Sequence, residues 1–138
     1  MIKEFIPKEL AKELKELGFS EPCLAWWFEE GNVSVPTEGR SFWSDWNVNP
    51  KRISAPLWQQ AFDWLREKHK FMHVVEDIEV SASNTTGYRF RFVVWKLMDN
   101  KFVITDKSLL GFYSYEEARL ECLKEIINAL KAELQPKA

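Results

Sequence analysis

The chain has 138 residues, enough for one domain with one core and short for two. Hydrophobic residues make up 46% and charged residues 29%, a balance that excludes global disorder. A formal net charge of −2 excludes a long-range positive field that would gather nucleic acid.

With 7 Trp and 10 Phe, much aromatic bulk must be buried or displayed as contact surface. Cys23 and Cys122 lie far apart and outside any C-x-x-C spacing. They read as two buried free thiols in a reducing compartment. The first residues alternate charged and apolar side chains, unlike a secretory leader. No run approaches the ~18 apolar residues of a membrane span, so the expectation is a cytoplasmic protein with no membrane contact.

Residues 7–17 predict a short helix. Pro7 suits its first turn, Leu10, Leu14 and Leu17 form one stripe, and Gly18 stops it. Residues 23–36 predict a hairpin, with turn chemistry at Glu30-Gly31-Asn32 and Pro36 ending the pairing. Residues 37–55 show no period and are rich in loop formers, yet hold Phe42, Trp43 and Trp46. Residues 56–69 predict a helix opened by Pro56, with Leu57, Trp58, Ala61, Phe62, Trp64 and Leu65 at three and four spacing.

Three strands are predicted next, at 71–80, 88–97 and 101–105, the last two joined by a turn at Asp99-Asn100. In the second, Tyr88, Phe90 and Phe92 alternate with Arg89 and Arg91 and so face opposite ways. Ser114-Tyr-Glu-Glu117 is a capping box that opens a helix over about 115–134. Its stripe is Leu120, Leu123, Ile127, Leu130 and Leu134, widened by Cys122 and Ile126. The predicted fold class is α+β: an antiparallel three-stranded meander flanked by helices, an α-β-β-β-α core over 56–138. An N-terminal helix, a β-hairpin and a Trp-bearing loop over 1–55 precede it within a single domain.

Two stretches, SAPLWQQAFDWLREKHKF (54–71) and YSYEEARLECLKEIINAL (113–130), carry a resemblance. They are similar to a group of small uncharacterised prophage and mobile-element proteins of Bacteroides-like bacteria. The resemblance implies phage-related origin and assigns no activity and no catalytic residue. The element order of 56–134 also resembles, in topology, the double-stranded RNA-binding domain, which contacts phosphates from the start of its last helix. Here that position reads Tyr115-Glu-Glu-Ala-Arg119, and two carboxylates there would repel phosphate.

No catalytic motif or glycine-rich phosphate loop is present, and no cofactor or metal is implied. His69 and His73 stand four apart, but the helix ends between them and no third ligand follows at motif spacing. Glu76, Asp77 and Glu79 read as a solvated strand end. The candidate partner-binding residues are Arg40, Phe42, Trp43, Trp46 and Arg52, since aromatic and Arg side chains dominate binding hot spots; the other reading of Trp43 and Trp46, slightly favoured, is that they cap an open edge of the core. A candidate basic face comprises Arg89, Arg91 and Lys96.

The reading these support is a non-enzymatic interaction module acting through a protein partner or self-association. A nucleic-acid accessory role, resting on Arg40, Lys51, Arg52, Arg89, Arg91 and Lys96, ranks second. An enzyme using His73 with Glu76 or Asp77 ranks third.

Overall fold

The computed structural model describes residues 2–36, 43–82, 85–98, 101–107 and 111–135. The protein is α+β. Its elements in chain order are α1 (Lys8–Glu16), β1 (Ala25–Phe28), β2 (Val33–Ser34), β3 (Arg52–Ala55), α2 (Trp58–His69), β4 (Phe71–Ala82), β5 (Thr85–Met98), β6 (Lys101–Lys107) and α3 (Tyr115–Leu134). Length alone predicts one domain; the contacts gather into two compact units, Met1–Trp64 and Leu65–Ala138, with the boundary inside α2. Among the described residues no helix is long and apolar enough to cross a membrane.

In the first unit α1 follows Pro7 and buries Leu10, Ala11 and Leu14. Gly18 ends it at φ 96°, a conformation that costs a glycine little. The Phe19 amide then bonds back to the Leu14 carbonyl at 2.9 Å, and the Phe19 ring packs edge-on against Trp64. The hairpin of β1 and β2 turns through Gly31 at φ 105°.

The stretch 37–55 is not wholly irregular. Asp45 caps a single 3-10 turn at Trp46–Val48, and β3 then pairs antiparallel with β1 over its full length. The sheet order is therefore β2-β1-β3, with α1 packed on β3. Ile53, Ser54 and Ala55 are all buried, so this strand lacks the alternation that identifies a half-buried one.

The second unit is the predicted meander, order β4-β5-β6, with α3 packed on β4 and β5. The strands run longer than the sequence suggests. The Asp99-Asn100 turn lies outside the described residues. β4 and β5 pair over twelve consecutive registers, from Phe71↔Lys96 to Ala82↔Thr85. Parity along β5 decides what faces α3. Phe90 meets the Tyr115 ring of α3 edge-on, Phe92 and Val94 are buried, and Lys96 pairs with Glu133 of α3. Arg89, Arg91, Val93, Trp95 and Leu97 take the other face. The side chain of Tyr88 lies outside the described residues.

α3 starts where the capping box predicts, with the Ser114 hydroxyl accepting from the Glu117 amide at 3.1 Å. Its buried stripe is Ala118, Cys122, Leu123, Ile126, Ile127 and Leu130. Leu134, expected on the stripe, is the last residue of α3 and is 57% exposed. Phe92 is 2% exposed, so Phe92→Ala should cost about 3–5 kcal/mol in urea denaturation. Half-buried Phe90 should cost less when truncated, and Arg91→Ala at most ~1 kcal/mol, the range of a partly exposed ion pair. An Arg91→Ala loss exceeding that of Phe92→Ala would place β5 one residue out of register.

Candidate functional site

Arg40 and Phe42 lie outside the described residues. Trp43 is 49% exposed, although the next residue, Ser44, exchanges both backbone hydrogen bonds with Cys23 at 2.8 and 3.0 Å. Trp46 is held from both sides. Its indole N–H donates to the Cys23 carbonyl at 2.8 Å, and its ring lies 4.3 Å from that of Trp26. The Arg52 guanidinium sits 4.5 Å from the Trp26 ring centroid and 5.6 Å from that of Trp46. A cation stacked on two indoles is worth about 0.5–2 kcal/mol, depending on desolvation. So Trp46 and Arg52, both in the candidate partner-binding set, make these contacts with each other and with β1.

Two residues outside the sequence-based set build this cluster. Trp26 supplies the facing ring, and its buried indole N–H has no hydrogen-bond partner among the described residues. Asn47 ties the segment down: its amide donates to the Phe19 carbonyl at 2.9 Å and its side-chain oxygen accepts from the Ser54 amide at 2.8 Å. The Asp45-x-Asn47 turn, in which the Asp45 carboxylate accepts from the Asn47 amide at 3.0 Å, was the available signal. Beside the cluster Phe28, Glu29, Glu30, Asn49, Lys51 and Arg52 line an open hollow of about 460 Å³.

The three residues of the candidate basic face do not share a face. Arg91 and Glu76 are cross-strand partners joined at 2.5 Å, and the Arg89 guanidinium lies 4.1 Å from the Tyr113 ring centroid. Lys96 has the opposite parity, which counting from Phe90 would have shown. Its ammonium pairs with Glu133 at 3.1 Å, donates to the His69 carbonyl and stands 4.2 Å from the Phe71 ring centroid. Lys96 thus caps the negative C-terminal end of α2. It shares a recess of about 450 Å³ with Lys68, His69, Lys70, Leu97, Leu130, Glu133 and Leu134. His69 there is held below the ordinary imidazole range, first by burial and then by Lys96, with Glu133 opposing.

His69 ends α2 while His73 lies in β4, so their spacing is not that of two ligands on one helix. Among the described residues no group of three or more His, Cys, Asp or Glu side chains could hold a metal ion. Cys23 and Cys122 are both buried thiols, not joined in a disulfide. Burial pushes the Cys23 thiol up to about 12; the nearby polar groups of Ser54 and Gln60 oppose the rise, and the Asp45 and Glu21 carboxylates add to it. The thiolate that nucleophilic or ligating chemistry needs is thereby suppressed. No family model, curated protein or solved structure matches the chain.

Because the folded thiol binds its proton more tightly than the unfolded one, its stabilising effect is complete below the ordinary cysteine value of 9.0 and is lost as pH rises toward about 12. Wild type should therefore lose more stability than Cys23→Ala across that alkaline window, read as the difference between their urea midpoints. At pH near neutral, Ellman's reagent should find both thiols only after unfolding; rapid labelling of Cys23 in the native protein would refute the assignment.

Proposed function

We propose that the chain is a non-enzymatic protein-interaction module of phage-related origin. The observation that carries this reading is the sheet face of β4 and β5 turned away from α3. Along β4 it presents Met72, Val74 and Ile78, and along β5 Val93, Trp95 and Leu97. All except the central Val93 are half-buried. The Arg91–Glu76 pair and Arg89 lie along the same face. An apolar centre holding Trp, with Arg beside it, is the composition of a protein-contact surface.

A protein suits this face better than a nucleic acid does. On this face Arg91 is paired with Glu76, which leaves it little capacity to displace counterions from a phosphate backbone. The Trp46–Arg52 cluster supports the same reading indirectly, since it holds Trp43 on an anchored segment with half its surface exposed.

Affinity capture from the host should compare wild type with Trp95→Glu and Val48→Glu. Val48 is 80% exposed and far from this face in the chain. The expected result is a defined partner, or the chain itself, retained by wild type and Val48→Glu and lost from folded Trp95→Glu. Identical capture by all three proteins would overturn the reading.

A further inference from the structure

Among the described residues β4 is an edge strand of the sheet β4-β5-β6. Phe90 exchanges both backbone hydrogen bonds with Phe112, at 2.8 and 2.6 Å, so its own N–H and C=O point away from β4. Its partner Asp77 therefore belongs to a non-bonded pair, whose β4 member points its N–H and C=O out of the sheet. The Leu97 amide bonds to the Lys70 carbonyl at 3.1 Å, which places the even-numbered residues on the β5 side. Phe71, Val75, Asp77 and Glu79 thus present N–H and C=O groups along the outer edge.

The two edges of this sheet differ. β6 shows a register shift between Val94 and Trp95, where Val94 opposes Asp106 and Trp95 opposes Ile104. Lys101 and Lys107 stand at its ends, and Phe112 continues the pairing beside Phe90. Bulges and lysines are the devices that keep an edge from pairing. β4 has neither: its twelve residues contain no Pro, Gly or Lys and run without a bulge. An edge this long and regular is a template for another strand.

The charge pattern selects the occupant. Lys68 and Lys70 precede the strand, and Glu76, Asp77 and Glu79 lie toward its far end, with Met72, Val74 and Val75 between them. Antiparallel pairing of two such strands sets each basic end against the other's acidic end. Parallel pairing would stack like on like.

We infer that β4 pairs antiparallel with β4 of a second copy, about a two-fold axis near residues 73–75, making one continuous six-stranded sheet. This rests on the interaction-module reading and adds a second copy as a partner at the strand edge that borders the Trp95 face. The contact is isologous, so it closes at two copies and does not propagate into fibres.

Sedimentation equilibrium of the full chain tests it, with two kinds of variant. Val75→Pro removes an outward N–H while leaving the bonds to β5, a placement that edge strands tolerate. It should weaken dimerisation at least about tenfold while circular dichroism and thermal midpoint show a folded chain. The second kind avoids proline altogether. Asp77→Lys with Glu79→Lys, and separately Lys68→Glu with Lys70→Glu, should each be monomeric alone and should form a one-to-one dimer when mixed. A monomeric wild type, or a dimer that neither the proline nor the charge variants disturb, overturns the inference. A monomer that still captures a partner through Trp95 would overturn this pairing alone and leave the broader interaction reading standing.

Discussion

The strict two-residue alternation of β5 is the constraint on which the second unit depends. Phe90, Phe92 and Val94 must leave water together, and a strand can remove them together only by turning one face to a cover. α3 is that cover, and its stripe of Cys122, Leu123, Ile126, Ile127 and Leu130 answers the strand's side chains with residues of similar bulk. The same parity sends Arg89 and Arg91 to the opposite face and brings Lys96 under the helix end. Lys96 is accommodated there because three groups receive its ammonium: a carbonyl, a carboxylate and an aromatic face.

In the first unit the corresponding constraint is the satisfaction of backbone groups. The segment from Ser44 to Ser54 passes beside β1, and side chains supplement the backbone in matching its polar atoms. Asn47 serves Phe19 and Ser54, the Trp46 indole serves Cys23, and the Lys15 ammonium reaches the Arg52 carbonyl at 2.7 Å. That matching lets the chain run close to a sheet without a longer strand. It also explains why Trp46 and Arg52, which resemble a binding hot spot in composition, act here as internal clamps.

The parts of the fold that were legible in the sequence are those with a period longer than the noise. α3 announces itself by a capping box and five turns of apolar recurrence, and β5 by Tyr88 to Phe92. β3 was missed because four residues give no period, and because burial of Ile53, Ser54 and Ala55 erases the contrast that alternation needs. The candidate site was legible only as residue types. Trp46 and Arg52 stand out as residue types of a binding hot spot, while Trp26, the ring they meet, lies on a strand whose own pattern gives no sign of the contact. Lys96 was grouped with the arginines by charge although its parity separated them.

Lys70 occupies a left-handed conformation at φ 64° and is the single residue between α2 and β4. Its amide bonds to the Arg66 carbonyl of the helix, and its carbonyl accepts from Leu97 of the sheet. One residue therefore terminates the helical ladder and opens the sheet ladder. Such a junction acts mechanically as a weld: a tug on the last turn of α2 is delivered to the first rung of β4, with no slack chain to absorb it.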